Sequence, residues 1–166
     1  MNLVLCGMMG CGKTTVGKLL ARALSWVWVD TDELIVSRHG KITDIFQQKG
    51  EAFFRALETE TVKTLAKKDR LVISTGGGLV LRSENVSFLK EQGTIVYLRA
   101  RKQTLISRLA ADKDRPLLQT AEGLDEKLTK LLTERGGIYE GVADYIVDVD
   151  EKTPDEIVKE ILTQIR

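Results

Sequence analysis

The sequence is short of the residues that staple a chain or tether it to a membrane, and its net charge is close to zero. Only two of its 166 residues are cysteine, and Cys6 and Cys11 lie too close together to close a useful loop. They also have neither the CxxC spacing nor the second pair of a zinc site. A reducing compartment, the cytosol, is therefore expected. The single histidine, His39, lies in a polar stretch and is read as solvated, without a catalytic part. No apolar run approaches the ~20 residues that span a bilayer, so no membrane partner is expected. The first such run, Leu3 to Cys6, leads straight into glycines rather than into a cleavable segment, so no leader is expected either. Charge is balanced, with 25 Lys and Arg against 24 Asp and Glu, which leaves no global field for a polyanion such as DNA. Aromatic residues do not interleave with basic ones, so a nucleic-acid platform is disfavoured. A composition of 43% hydrophobic and 30% charged residues with two prolines is that of an ordinary globular chain, and excludes disordered and collagen-like classes.

A chain of this length suits one domain with its own core. Short apolar runs, Asn2–Cys6, Trp26–Val29, Leu71–Ser74, Thr94–Leu98 and Tyr145–Val149, alternate with amphipathic stretches, which is the pattern of βαβ units. Most of these runs are continuously apolar, as parallel strands covered on both faces require. The amphipathic stretches predict helices over Lys13–Leu24, Glu33–Arg38, Ile45–Lys49, Glu51–Lys67, Glu84–Glu91, Gln103–Ala111 and Asp125–Tyr139. A last helix is marked by Thr153 as N-cap, Pro154 at the first helical position and Glu156 for a capping box, with Ile157, Ile161 and Ile165 as its stripe. Asp112 to Gly123 has little periodicity and is expected to be a mobile excursion. Trp26 and Trp28 are assigned to the core, and Lys67, Lys68 and Arg70 to a solvated helix end.

The sharpest motif is Gly7-Met8-Met9-Gly10-Cys11-Gly12-Lys13-Thr14, a G-x-x-x-x-G-K-[ST] pattern. Its glycines turn the backbone so that N–H groups point inward, and the helix behind it offers its positive dipole end. Lys13 can reach β- and γ-phosphates and the Thr14 hydroxyl can ligate Mg²⁺. The pattern follows an apolar strand and opens an amphipathic helix, the context it needs. A lowered thiol pKa at this helix start would make Cys11 reactive, but a small residue is needed there for tightness, and Cys11 is taken as structural. Met8 and Met9 are assigned to packing.

A phosphate loop names only a nucleoside triphosphate, and the other substrate must be read elsewhere. Asp30-Thr31-Asp32 follows the second strand at the sheet edge where open α/β folds bind ligands, although an aspartate there can also serve merely as a helix cap. Arg55 and Glu58 at i, i+3 would suit a surface ion pair, yet they follow two phenylalanines that make an apolar wall. Gly76-Gly77-Gly78 after the third strand allows a close backbone approach to a ligand. Arg115-Pro116 lies in the excursion, and Arg135 and Tyr139 lie near a helix end. Two arginines, a carboxylate and an apolar wall suit a small hydroxylated carboxylic acid better than a nucleobase.

In this order, over nearly its whole length, the sequence resembles the shikimate kinases of the P-loop kinase superfamily. The resemblance implies a three-layer α/β/α fold with a five-stranded parallel sheet, and ATP-dependent phosphorylation of the 3-hydroxyl of shikimate with Mg²⁺ as cofactor. It implies that Gly10, Cys11, Gly12, Lys13, Thr14 and Thr15 hold the phosphates, that Arg108 stacks on adenine and that the stretch from Lys152 to Pro154 forms the adenine loop. Asp32 would hold the ring hydroxyls and take the proton of the attacking one. Arg55 and Arg135 would grip the carboxylate, with Gly76, Gly77 and Gly78 lining the pocket and Phe46 and Phe54 beside the ring. Asp30 would sit in the outer shell of Mg²⁺, and Arg115 would come down with a lid at about 112–123. Gly136-Gly137-Ile138 departs from the commoner Asn-Pro-Leu or Ala-Pro-Leu, and these glycines are expected to loosen the helix that aims Arg135. A cytoplasmic monomer with ATP and shikimate as partners completes the expectation. Three other readings stand beside it: a kinase for gluconate or a nucleoside monophosphate, a silent nucleotide-binding module, and a nucleic-acid-dependent ATPase. Lys13, Thr14, Asp32, Arg55 and Arg115 together weigh against the silent module.

Overall fold

In a computed structural model, which describes residues 1–111 and 121–166, β1 (Asn2–Cys6) is the spine. Its five residues are all buried, the apolar run Leu3–Cys6 between helices on both faces and Asn2 through hydrogen bonds to Lys68 O and from Leu71 N. The other described strands are β2 (Val27–Asp30), β3 (Leu71–Ser74), β4 (Gly93–Arg99) and β5 (Tyr145–Asp148). They pair in parallel in the order β2-β3-β1-β4-β5. Between them lie α1 (Lys13–Leu24), α2 (Thr31–His39), α3 (Ile42–Lys49), α4 (Glu51–Ala66), α5 (Ser83–Gln92), α6 (Lys102–Ala110), α7 (Ala121–Val142) and α8 (Pro154–Gln164). The chain thus has the expected α/β architecture. From β1 the chain turns towards β2 on one side, and from its neighbour β4 it turns towards β5 on the other, so the crevice at the carboxyl ends of these strands is where such folds bind ligands.

The element bounds shift where edges and caps decide. β2 starts at Val27, one residue later than expected, and ends on Asp30. It is an edge strand, so its apolar run is not sealed on both faces and Val27 is 60% exposed. α2 begins at Thr31, because the Asp30 carboxylate accepts a hydrogen bond from Glu33 N at 3.0 Å and caps it. α8 carries the expected capping box. α7 begins at Ala121, so the last residues of the expected excursion belong to a helix, and 112–120 lie outside the described residues. α7 also runs without a break through Gly136 and Gly137, where loosening was expected. No steric demand excludes side chains there, since a Cβ on either glycine would meet nothing within 4 Å.

The main core surrounds β1, β3 and β4. A smaller cluster of Ile35, Ile45, Phe54 and Leu57 joins α2, α3 and α4. Trp26 and Trp28 are half-buried against the main core, and Trp28 Nε1 donates to Ser74 Oγ at 3.0 Å. Lys67, Lys68, Arg70 and His39 are exposed as expected. Among the described residues, no helix is long and apolar enough to cross a membrane.

Candidate active site

The loop between β1 and α1 turns through glycines with left-handed φ, of which Gly12 (φ 104°) caps α1. No L side chain adopts that angle cheaply, and the helix N-terminus is left open to an anion. Lys13 Nζ folds back over the loop and donates to Gly7 O and to Met8 O, a position from which it can transfer to phosphate oxygens. A cavity of about 510 Å³ adjoins the loop, lined by Gly12, Lys13, Thr14, Thr15, Arg108 and Pro154 among others. Arg108 forms its far wall, and its Nη1 donates to Cys11 O at 2.9 Å. On the other side of Arg108 a second hollow of about 560 Å³ is lined by Lys152 and Thr153. The loop and the expected adenine stretch are therefore adjacent. Thr14 offers a hydroxyl and Asp30 a carboxylate. Both are hard oxygen donors of the kind Mg²⁺ takes when phosphates and water supply the remaining positions.

Cys11 is fully buried, and burial raises its thiol pKa, as it raises that of Cys6 to about 12. The thiols are neutral and shielded, so Cys11 is a packing residue, and Met8 is buried in the same core.

The residues expected at the acceptor converge on the three glycines after β3. Asp32 lies so close to Gly76 that a Cβ there would be 2.6 Å from Asp32 Oδ1. Thr31 Oγ1 accepts from Gly76 N at 2.9 Å, and Tyr139 Oη donates to Gly77 O at 2.5 Å. A Cβ on Gly77 would lie 3.1 Å from Arg135 Nη1, and one on Gly78 would lie 2.5 Å from Arg55 Nη1. A side chain would displace the Asp32 carboxylate at Gly76 and a guanidinium at Gly77 or Gly78, which is the physical reason for three glycines in a row. Arg55, Gly78 and Arg135 also line a cavity of about 660 Å³ together with Arg82, which sequence reasoning passed over. Phe46 and Phe54 meet at a tilt with centroids 5.0 Å apart, and the Arg55 guanidinium lies 5.4 Å from the centre of the Phe54 ring.

Arg55 and Glu58 are no surface pair. Glu58 is 1% exposed and accepts from Arg55 Nη1 at 2.7 Å, while Glu51 lies 3.5 Å from Arg55 Nη2. Burial pushes the Glu58 carboxyl upward and the Asp32 charge adds to this, against the pull of Arg55 and Arg135. Burial acts to lower the Arg55 pKa, but the Glu58 hydrogen bond and charge outweigh it, so its net shift is upward and Arg55 stays cationic. Thr31 and Tyr139 stand in motifs singled out in the sequence, but their contacts reach 45 and 62 residues along the chain, which no local pattern could show. Arg115 lies outside the described residues.

A nucleotide-sized cavity on a phosphate loop beside a carboxylate and two arginines defines a P-loop kinase acting on a small acid. The chain belongs to the shikimate kinase family, whose family model matches residues 9–166. The shikimate kinase of a Sulfurihydrogenibium species is 44% identical over 166 residues, covering 99% of this chain and 98% of its own. The shikimate kinase of Acinetobacter baumannii, solved in complex with shikimate, superposes with a TM-score of 0.89 at 38% identity, over 99% of this chain and 92% of its own. That of Bacteroides thetaiotaomicron superposes with a TM-score of 0.92 at 32% identity, over 99% and 98%.

Proposed function

We propose that the chain transfers the γ-phosphoryl group of MgATP to the 3-hydroxyl of shikimate, giving shikimate 3-phosphate and ADP. The carrying observation is the placement of one anion-holding loop at the start of α1 beside two guanidinium groups and a carboxylate on Gly76 to Gly78. In this reading the loop amides, Thr15 and Lys13 bind the phosphates, and Arg108 and Pro154 enclose adenine. Thr14, with Asp30 one shell further out, holds Mg²⁺, which neutralises charge on the phosphates when bound. Arg55 and Arg135 orient the acceptor by its carboxylate with charge-assisted hydrogen bonds. Asp32 aligns the 3-hydroxyl and accepts its proton as the oxygen attacks phosphorus and the bond to the bridging oxygen of ADP breaks. Lys13 spreads the charge of a loose transition state, and Arg115, from the segment at about 112–123, adds a second cation as part of a lid. Catalysis is then positioning and charge neutralisation, with little covalent work for the protein. The reading carries with it a single domain over 1–166, acting as a cytoplasmic monomer.

A coupled ADP-release assay with and without shikimate tests it. ADP release should require Mg²⁺ and rise by orders of magnitude with shikimate, since without an aligned acceptor the γ-phosphate faces only water. Lys13→Ala should abolish the shikimate-dependent rate and leave the melting curve in place. Equal rates with and without shikimate, or a larger response to gluconate or a nucleoside monophosphate, would assign the acceptor elsewhere.

A further inference from the structure

Between α4 and α5 the structure buries two neutral polar side chains that the chemistry above does not use, Thr59 at 7% and Asn85 at 1% exposure. We propose that Thr59 and Asn85, capped by Arg82, are positioning residues that hold α4 against the turn after Gly78 and so set Arg55 for the acceptor's carboxylate. The proposal rests on the acceptor reading above.

The hydrogen bonds form one directed chain. Arg82 Nη1 donates to Thr59 Oγ1 at 2.9 Å and to Arg55 O at 3.3 Å. Thr59 Oγ1 has two acceptors in reach, Asn85 Oδ1 at 2.7 Å and Arg55 O at 3.2 Å, and its one proton goes to the nearer, while Asn85 Nδ2 donates to Leu79 O at 2.9 Å. A hydroxyl has one proton to give and lone pairs to receive, so Thr59 can serve Asn85 and Arg82 at once. The Asn85 amide then uses its oxygen toward α4 and its nitrogen toward the turn. Every step is consistent in direction, and each donor in such a chain strengthens the next.

The two ends of the chain are the two surfaces that meet in the acceptor pocket. One end is the Arg55 carbonyl on α4. The other is Leu79, the residue after Gly78, on whose backbone the Arg55 guanidinium rests. Aliphatic side chains at 59 and 85 would fill the same space, but they would let α4 slide along α5, because dispersion contacts are not directional. Buried polar groups cost free energy unless they are paired, so this chain specifies one spacing. Glu58 orients the head of Arg55 from the same helix; the Thr59–Asn85 chain places that helix. Arg82 also lines the cavity itself, which ties the chain to the ligand side.

Titration of shikimate and of ATP into the parent enzyme, Thr59→Val and Thr59→Ser tests this. Valine keeps the shape and removes the hydroxyl, so the Kd for shikimate should rise about tenfold, while that for ATP stays within about twofold. Serine should restore shikimate affinity to within about twofold of the parent, because it returns the hydroxyl. In an Arg55→Lys background, Thr59→Val should change shikimate affinity by less than about twofold, since a residue acting through the Arg55 fork has nothing left to position. An equal loss for both ligands, no loss at all, or full additivity with Arg55→Lys would overturn the proposal. Should Thr59→Val fail to fold, Thr59→Ala removes the same hydroxyl without a branched side chain and takes its place in the same cycle, with the same outcomes deciding. A parent enzyme that does not bind shikimate would instead refute the acceptor reading, a result that no comparison among variants can produce.

Discussion

Arg55 stands 26% exposed with its guanidinium between two carboxylates, one nearly sealed from solvent at 1% exposure. That asymmetry governs how its part can be measured. Arg55→Ala would strand the buried Glu58 carboxylate, and leaving a buried charge without its partner costs about 3–5 kcal/mol. A loss of binding would then be entangled with a loss of fold, or with Glu58 taking up a proton. Arg55→Lys keeps a cation near Glu58 and removes only the planar fork. We expect this variant to melt close to the parent, to bind shikimate at least about tenfold more weakly and to bind ATP unchanged, with calorimetric titration of each ligand as the check. An equal loss of ATP affinity would show that Arg55 does not face the acceptor.

Glycine has opposite meanings in two helices of this fold. In α1, Gly17 faces Ser74 and Trp28, and a Cβ would lie 2.6 Å from both Ser74 Oγ and Trp28 Nε1. The space it leaves allows the Trp28 indole to donate to Ser74 Oγ, which donates in turn to Lys13 O at 2.7 Å. In α7, Gly136 and Gly137 face open space. Alanine has the higher helix propensity, so the same substitution should act with opposite sign. Gly136→Ala and Gly137→Ala should each stabilise by roughly 0.5–1 kcal/mol, whereas Gly17→Ala should destabilise by about 1–3 kcal/mol through overpacking. Thermal melts decide the signs. Shikimate turnover in the two α7 variants should stay at the parent level, because Arg135 is aimed by a helix that is already continuous. At this scale the sequence was legible wherever a local code exists: α1 and β3 have the expected bounds, and the capping box opens α8. It was less legible at β2 and α2, whose junction is set by the Asp30 cap and by the position of β2 at the sheet edge.

For the molecule as a whole, the buried core holds its acids in the neutral form. Cys6, Tyr97 and Tyr139 each have a pKa raised to about 12, in every case first by burial. In the unfolded chain the thiol ionises near 9 and the phenols near 10, so above those values the unfolded state binds fewer protons than the native one. Stability must then fall as pH rises from about 9 towards 12. Denaturant melts between pH 8 and 11 should show that decline, and Tyr139→Phe should flatten part of it while losing the Gly77 contact. Below pH 9 neither Cys6 nor Cys11 should react with a thiol reagent until the protein is denatured, because only a thiolate attacks and both groups are buried and neutral. Rapid labelling of the native protein would contradict this.

The class of chemistry was written locally. A phosphate loop needs only a few contiguous residues with glycine freedom and a lysine, so Gly7 to Thr14 declared it, and an uninterrupted apolar strand such as Leu3 to Cys6 declared a buried parallel sheet. The proposed acceptor site is written in separations that no local pattern carries. Asp32, Arg55, Gly78 and Arg135 come from four segments, and they meet because β2 and β3 pair in register and α4 and α7 pack against the turn after β3. For the same reason the sequence offered Asp30 as either cap or ligand, and Arg55–Glu58 as either surface pair or buried pair. Packing gives one Asp30 oxygen to the α2 cap and buries Glu58. The charge of a residue is fixed by its identity, but its neighbours, its solvent and hence its work are fixed only when distant parts of the chain are brought within a few ångströms of it.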